Sequence, residues 1–190
     1  FVESGNVGYM DASAMVKYCR TTAFGRRYFD KFQEGIPFVK QVDRLYSELC
    51  PEHYKKQKAV ADSTNRNYVI GDTSFTTITV NKTFQTACHQ DSGDFRDGFG
   101  NLIVHNDGSY EGGFFVLPQY RVAVDVQNQD VLFVDVHKWH GNTKMILKKG
   151  FDKIFRISFV LYYRENMFKC LQPSEELKKM KNKLNYLKLK

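Results

Sequence analysis

One pattern of three potential metal ligands limits the folds that this chain can adopt. His89 and Asp91 lie two residues apart, and His140 follows His89 by 51 residues. Residues i and i+2 of an extended strand point to the same side, so His89 and Asp91 can reach one ion. Two neutral imidazoles and one carboxylate form the facial ligand set of non-haem Fe(II), which leaves adjacent positions open for a co-substrate and O₂. We therefore predict an iron site formed by His89, Asp91 and His140.

Other assignments of the histidines stay open at this point. His137 lies three residues before His140 and competes with it as the third ligand. Gly141 favours His140, because it allows the chain to turn sharply beside a metal ion. Zinc, or a cupin-like site, could use similar ligands. His53 and His105 are predicted to be structural, although His105 could face the interior of a barrel.

From residue 72 onward, short apolar segments alternate with turn signals. The candidate strands cover residues 74–80, 83–89, 99–105, 113–117, 121–126, 131–136 and 154–163. Such a series is typical of a sandwich or a barrel. The metal pattern selects between them, because a double-stranded β-helix (a jelly roll) brings distant strands together at one open end. We predict a mainly β fold with flanking helices and a double-stranded β-helix core.

Helices are predicted on both sides of this core. Pro37 and Pro51 can each occupy the first turn of a helix, so residues from about 1 to 70 are assigned to a helical lead-in. The core covers about 72–165. A capping serine followed by two glutamates begins a basic C-terminal helix over about 174–190. A chain of 190 residues suits a single domain with such additions.

A basic residue in the last candidate strand is predicted to bind the co-substrate. Arg156 lies 16 residues after His140, in an apolar segment. A 2-oxo dicarboxylate bound to the metal has a free carboxylate, to which a guanidinium gives two parallel hydrogen bonds. Ser158 lies on the same face of the strand and can add a third. Asp94 could orient a metal ligand, contact the co-substrate or the substrate, or be an exposed loop aspartate.

Charge and hydropathy bound the partners of the chain. The formal net charge is +7 and the pI is about 9.1, which fits either a polyanionic partner or a solvated basic surface. No apolar run approaches the roughly 20 residues that span a bilayer, so no membrane association is predicted.

The cysteines favour an intracellular location. Cys19, Cys50, Cys88 and Cys170 form no CxxC pair and have no zinc-like spacing, and we predict reduced thiols. A disulfide stays compatible with the sequence. The chain begins at Phe1 without a signal peptide, which indicates a fragment of a longer protein.

Several segments around these residues resemble the TET/JBP group of dioxygenases. The resemblance covers roughly residues 20 to 165, and the helical lead-in is similar to that of JBP-like members from viruses, fungi and algae. The segments include Thr86-Ala87-Cys88-His89-Gln90-Asp91, Glu111-Gly112-Gly113-Phe114, Trp139-His140-Gly141-Asn142 and Arg156-Ile157-Ser158.

This resemblance implies a fold, an activity and a set of cofactors. The family has a double-stranded β-helix core and uses Fe(II), 2-oxoglutarate and O₂ to oxidise the C5-methyl group of thymine or 5-methylcytosine in DNA. By position, His89, Asp91 and His140 match its iron ligands, and Arg156 matches its binder of the 2-oxoglutarate carboxylate. One algal relative uses ascorbate and has an aspartate at the place of Asp94, so ascorbate stays an alternative co-substrate. A nuclear or cytoplasmic location, including that of a viral protein, is expected.

Two other functions are compatible with the same residues. The first is a prolyl-type hydroxylase of protein side chains, and the second is a non-catalytic jelly-roll module that binds RNA or protein. A base inside a duplex has to be flipped out before its methyl group reaches the iron. Phe95, Arg96, Phe99 and Lys138 are the candidates for that task. The preferred base and the oligomeric state are not predicted.

Overall fold

The computed structural model describes residues 3–188, and the side chains of residues 3–182. Its helices are α1 (Ala23–Arg27), α2 (Phe29–Glu34), α3 (Ile36–Leu49), α4 (Pro51–Ser63) and α5 (Pro173–Lys188). Its strands are β1 (Ser4–Met10), β2 (Arg20–Thr21), β3 (Thr77–Lys82), β4 (Gly100–Asn106), β5 (Tyr110–Gly112), β6 (Phe115–Leu117), β7 (Val122–Val124), β8 (Val131–Val134), β9 (Gly141–Asn142), β10 (Met145–Leu147) and β11 (Arg156–Tyr162).

Six strands form a large antiparallel sheet in the order β2-β1-β3-β11-β4-β8. Strand β11 lies inside this sheet, paired with β3 on one side and with β4 on the other. Because side chains alternate along a strand, Arg156, Ser158, Val160 and Tyr162 share one face of the sheet and line one cavity. The opposite face packs against helices.

The helix-covered face of the large sheet carries the main hydrophobic core. Ile78, Ile103 and Leu161 of the sheet are buried together with Val42 and Tyr46 of α3. The apolar stripe of α3 that the sequence predicts therefore packs on the sheet. Burying one such aliphatic or aromatic side chain contributes about 1.5–3 kcal/mol, so this layer fixes the orientation of the sheet. Both helices predicted from the proline positions are confirmed.

Two small sheets complete the β structure, and a second core lies between the three-stranded one and the large sheet. One has the order β7-β6-β9, and the other pairs β10 with β5. Leu102, Val104 and Val134 of the large sheet cluster with Phe115 and Val126. Two layers of strands around a shared core, with helices outside one layer, form the predicted double-stranded β-helix.

The beginning of the chain corrects the predicted helical lead-in. Residues 4–10 form β1, which pairs with β3 from Ser4 opposite Asn81 to Gly8 opposite Thr77. Helices begin only at Ala23. Because β1 has two glycines and little apolar periodicity, its conformation depends on the edge that β3 offers rather than on local propensity.

The predicted strand at residues 83–89 is wrong. Thr83 has a positive φ of 50°, which turns the chain away at the end of β3. The segment then continues as a loop to His89, whose backbone forms an isolated bridge with His140. The six other predicted strands correspond to observed strands: those at 74–80 and 99–105 are shifted toward the C-terminus, and the other four are shorter than predicted. Strands β5 and β10, of three residues each, are too short for periodicity to predict.

Cys19 and Cys170 form a disulfide, which contradicts the predicted reduced thiols. The two residues are 151 positions apart and are buried in a small core with Tyr163 and Met167. Their proximity arises only in the folded chain, so their spacing in the sequence could not indicate it. The other two cysteines are free.

The C-terminal helix is attached to the body of the domain beside this disulfide. The buried carboxylate of Glu176 in α5 accepts hydrogen bonds from the backbone N–H groups of Cys19 and Leu171, at 2.9 Å each. Helix α5 confirms the predicted helix as far as Lys188, and residues 189 and 190 lie outside the described residues. None of the described helices has the length and apolar character needed to cross a membrane.

Replacing both Cys19 and Cys170 with serine is expected to lower the free energy of unfolding by about 2–4 kcal/mol, because the crosslink restricts the unfolded chain. Urea unfolding followed by circular dichroism under oxidising conditions measures the effect. The single variant Cys88→Ser, which removes a free and exposed thiol, is the control and should keep the wild-type midpoint. An unchanged midpoint in the double variant would show that the disulfide contributes nothing.

Candidate metal and co-substrate site

The three predicted metal ligands converge in the structure. Nε2 of His89 lies 3.6 Å from one carboxylate oxygen of Asp91, and Nε2 of His140 lies 3.7 Å from the other. One potential ligand atom from each residue lies within 4.8 Å of those of the other two. Residues far apart in the chain thus form one compact group, which we call the His-Asp-His group.

Backbone hydrogen bonds connect the segments that carry this group. The backbone N–H of His89 donates a hydrogen bond to the carbonyl oxygen of His140 at 2.8 Å. The backbone N–H of His140 donates one to the carbonyl oxygen of His89 at 2.9 Å. The N–H of Asp91 donates to the carbonyl of Val136 at 3.0 Å. A Cβ at position 141 would lie 3.1 Å from backbone atoms of Cys88. Gly141 therefore permits the close approach of two segments, and not the predicted sharp turn.

Both histidines present Nε2 as the atom that can bind a cation. Nδ1 of His89 lies 2.8 Å from the carbonyl oxygen of Ala87, and Nδ1 of His140 lies 2.8 Å from that of Lys138. Because a carbonyl only accepts, Nδ1 carries the proton, and Nε2 of the neutral ring has a free lone pair. Burial also lowers the pKa of His140, which keeps that ring neutral.

His137, the alternative third ligand, has a different role. Its Nδ1 lies 2.8 Å from the backbone carbonyl of Asp91, and its backbone N–H donates to Asp135 at 3.0 Å. Among the residues that the structure describes, the His-Asp-His group is the cluster of side chains that could hold a metal ion, and His137 is not part of it. His137 thus orients the loop that carries Asp91.

Arg156 is a buried cation without an acidic neighbour. It is only 4% exposed, its Nη1 donates to Oγ of Ser158 at 3.2 Å, and its Nε has no hydrogen-bond partner. Burial lowers its pKa, Tyr110 raises it, and no carboxylate among residues 3–182 contributes. An unpaired buried charge is costly. The surroundings of Arg156 and Ser158 are therefore those of a binding site for an anion.

One cavity of about 220 Å³ joins the His-Asp-His group to Arg156 and Ser158. Its apolar walls come from both layers of strands, and the ring of Phe115 stacks on that of His140 with centroids 5.4 Å apart. The anion site and the His-Asp-His group therefore line the same cavity. The apolar wall consists of Leu102, Phe115, Val134, Val136 and Val160.

Comparison with protein families now identifies the domain. A family model for TET/JBP proteins, described as the oxygenase domain of the 2OGFeDO superfamily, matches residues 6–165. The chain belongs to the TET/JBP family. The resemblance predicted from the sequence motifs is thereby confirmed, and with it the placement of this domain among 2-oxoglutarate- and Fe(II)-dependent oxygenases.

Curated TET/JBP relatives are much longer proteins. The chain is 36% identical over 178 residues to the bifunctional helicase and thymine dioxygenase JBP2 of Leishmania tarentolae, covering 93% of this chain and 16% of the relative. It is 35% identical over 163 residues to the thymine dioxygenase JBP1 of Trypanosoma brucei brucei, covering 85% of this chain and 19% of the relative. The chain thus spans less than a fifth of these relatives.

A solved structure of a TET protein shares the fold. The structure of NgTET1 in complex with 5mC DNA matches with a TM-score of 0.72 and 16% sequence identity, covering 95% of this chain and 70% of that chain. At this identity the likeness concerns the fold alone. It supports the double-stranded β-helix described above.

The donor atoms fit the Fe(II) that the TET/JBP family implies. Two imidazole nitrogens with free lone pairs and one carboxylate lie on one side of a cavity whose remaining space is open to a ligand. Fe(II) in such oxygenases takes this ligand set and keeps adjacent positions open, whereas a structural zinc site is closed by four protein ligands. The buried guanidinium of Arg156, whose Nε has no hydrogen-bond partner, lines the same cavity and fits the second carboxylate of 2-oxoglutarate.

Asp94 lines the same cavity and is not an exposed loop residue. The pKa of Asp94 is raised to about 8, mainly by burial and also by the negative charge of Asp91, while Arg164 opposes the shift. The Nε of Arg164 donates to Asp11 at 2.7 Å, so this arginine already has a carboxylate partner. Asp94 is therefore placed to contact a ligand in the cavity, and Arg164 is not an alternative to Arg156 as the anion binder.

Two of the four candidates for base flipping belong to the core instead. Phe95 packs edge-on against Tyr163, with ring centroids 5.9 Å apart. Phe99 stacks on His53 at 3.8 Å, which also gives His53 the predicted structural role. His105 is exposed on β4 and its Nδ1 lies 3.1 Å from Asn128, so it does not face the barrel interior.

The basic candidates lie on the outer side of the metal group. Arg96 and Lys138 line a second cavity of about 560 Å³, which shares Asp91 and Asp94 with the first. The sequence does not indicate Tyr110, whose side chain interacts electrostatically with that of Arg156. Tyr110 belongs to the short strand β5, where neither periodicity nor a motif marks it as a site residue.

Proposed function

We propose that residues 1–190 form a single dioxygenase domain that depends on Fe(II) and 2-oxoglutarate. Its proposed substrate is the C5-methyl group of a pyrimidine in DNA, either thymine or 5-methylcytosine. The proposal assigns His89, Asp91 and His140 as the iron ligands. Arg156 and Ser158 bind the distal carboxylate of 2-oxoglutarate, and Asp94 contacts the co-substrate or the substrate.

A single observation carries this proposal. One cavity holds an open His-Asp-His group at one end and a buried arginine without an acidic partner at the other. Burying an uncompensated cation costs stability, which supports binding of an anion beside it. An enzyme that binds a dicarboxylate beside a metal ion uses both ends of the cavity at once.

The residues that line the cavity have different roles in the proposed reaction. When bound, Fe(II) would supply the coordination sites at which 2-oxoglutarate and O₂ meet, which couples oxidation of the methyl group to decarboxylation of the oxo acid. His89 and His140 hold their Nε2 lone pairs in fixed directions through the backbone carbonyls at Nδ1. Arg156 and Ser158 orient the co-substrate, and the apolar wall excludes water from the reacting groups.

The DNA substrate is supported by the family and by charge. The curated relatives with 35–36% identity are thymine dioxygenases by name, and the solved TET structure contains 5mC DNA. The net charge of +7 suits a polyanion. A pyrimidine in a duplex must leave the base stack to bring its methyl group to the cavity.

Incubation with Fe(II), 2-oxoglutarate and air is expected to convert thymine or 5-methylcytosine in DNA to the 5-hydroxymethyl base. Each oxidation should release one succinate and one CO₂, because one oxygen atom of O₂ enters the base and the other enters succinate. Mass spectrometry of digested nucleosides measures the base, and succinate is quantified in the same reaction. Comparing the reaction on single-stranded and on duplex oligonucleotides with one target base shows which form of DNA is the substrate.

Controls separate the parts of this proposal. Omitting 2-oxoglutarate should stop the reaction, and ascorbate alone in its place should not restore it if 2-oxoglutarate is the co-substrate. Succinate release without any modified base would overturn the DNA substrate but keep the oxygenase. Neither succinate nor modified base from iron-loaded protein would overturn both. A proline-containing peptide in place of DNA tests the prolyl-type alternative.

A further inference from the structure

Trp139 is an exposed aromatic side chain directly beside the proposed metal site. It is the single tryptophan of the 190 residues, it immediately precedes His140, and its side chain is 48% exposed. A large aromatic ring left in water forgoes the favourable free energy of burial. Such a ring at the rim of a site is a candidate for contact with a ligand.

The indole of Trp139 does not line the cavity. His140 lines the cavity and pairs with His89 in an extended bridge, while Trp139 is absent from the cavity lining. Adjacent side chains of an extended segment point to opposite sides. The side chain of Trp139 therefore lies outside the cavity, one residue along the chain from the proposed metal ligand.

A turn of the small sheet supports this position. The backbone N–H of Trp139 donates to the side-chain oxygen of Gln119 at 3.4 Å. Because Val116 pairs with Gly141 in the register of β6 and β9, the turn that follows β6 runs alongside Trp139. The next residue after Gln119, Tyr120, is 54% exposed. Two exposed aromatic residues thus belong to neighbouring segments at the rim.

Basic residues flank both aromatics. Lys138 precedes Trp139 with its side chain 45% exposed, and Arg121 follows Tyr120 as an exposed residue. Alternating aromatic and basic residues suit single-stranded nucleic acid, in which bases stack on rings and phosphates contact cations. A peptide would not require the two cations.

We propose that Trp139 stacks on a nucleobase adjacent to the base that is oxidised, with Tyr120 as a second stacking residue and Lys138 and Arg121 near the phosphates. The inference rests on the proposed function, because it takes DNA as the substrate. It adds a surface that holds the strand next to the target base. Trp139 is a substrate-binding residue in this proposal and takes no part in the chemistry.

Because the chain contains one tryptophan, its fluorescence reports this contact directly. Titration with a single-stranded oligonucleotide, without iron or 2-oxoglutarate, should quench the emission. An oligonucleotide of the same length with abasic sites beside the target base should bind without comparable quenching. Trp139→Ala should weaken binding of the normal strand by roughly 5- to 150-fold, the effect of losing one stacked base, while Trp139→Phe should retain most of the affinity. Affinities of these variants are measured by fluorescence anisotropy with labelled DNA.

Phe168→Ala is the matched control. Phe168 is 49% exposed and is followed by a lysine whose amine lies over its ring, and its replacement should leave DNA affinity unchanged. DNA that binds without changing tryptophan emission, or equal affinity of Trp139→Ala and wild type, would overturn the inference. Because the titration involves no catalysis, such a result leaves the oxidation assay to decide the proposed function. Quenching without oxidation would keep the stacking surface and reject the methyl oxidation.

Discussion

Replacing Asp91 with asparagine is expected to reduce succinate formation at least about 100-fold, because loss of even an outer partner of a metal ligand costs 10- to 100-fold. Asp91 is the only carboxylate of the His-Asp-His group among the described residues. Its two oxygens face Nε2 of His89 and of His140. An asparagine has nearly the same size but no negative charge, so the fold should persist while Fe(II) affinity falls. Calorimetric titration with Fe(II) under anaerobic conditions measures the affinity, and the succinate assay measures turnover.

The control is a carboxylate of the same type outside the cavity. Asp97 is exposed and forms an ion pair with Lys56 at 3.5 Å, and Asp97→Asn should keep both Fe(II) affinity and turnover. Exposed ion pairs contribute little to stability, so this variant should also keep its melting temperature. Wild-type Fe(II) affinity in Asp91→Asn would contradict the assignment of the metal ligands. A loss of affinity accompanied by unfolding would be distinguished by circular dichroism, and His140→Gln then provides the independent test.

Two pairs of side chains that line the cavity could each be placed together from the sequence, because the spacing within a pair is a local property. His89 and Asp91 are two residues apart, and Arg156 and Ser158 have the same spacing on β11. In an extended segment that spacing places two side chains on one side. The fold then follows from the requirement that both pairs and His140 meet, which few arrangements of short strands satisfy.

What the sequence does not predict depends on contacts between distant segments. The strand β1 forms because β3 offers an edge, and the disulfide forms because the C-terminal segment returns to Cys19. The sequence leaves Asp94 either in the site or in an exposed loop, and only the fold, in which its backbone pairs with that of Arg164, shows that it lines the cavity. Trp139 belongs to one of the segments that resemble the TET/JBP group, and only the structure shows that its side chain is exposed. Burial and exposure of single side chains are properties of the assembled fold.

Replacing Arg156 with methionine is expected to raise the KM for 2-oxoglutarate at least about 30-fold, because removing one partner of a buried charge pair costs 2–5 kcal/mol. The Asp91→Asn variant loses the metal, whereas this variant should bind Fe(II) with wild-type affinity. Arg156→Lys keeps the charge but loses the planar pair of donors, so its KM should lie between those of the wild type and the methionine variant. Steady-state assays with varied 2-oxoglutarate measure all three.

The melting temperature of the Arg156→Met variant provides a second, independent test of the role of Arg156. In the ligand-free protein this guanidinium is buried without an acidic partner, and replacing an uncompensated buried charge with an apolar side chain is often neutral or stabilising. Ligand-free Arg156→Met should therefore melt at or above the wild-type temperature. A ligand that binds only the folded state raises stability by RT ln(1 + [L]/Kd), so Fe(II) alone should raise the melting temperature of both proteins. Adding 2-oxoglutarate to the Fe(II)-loaded proteins should raise it further for the wild type and much less for the variant. An equal further rise in both proteins would show that the carboxylate binds elsewhere.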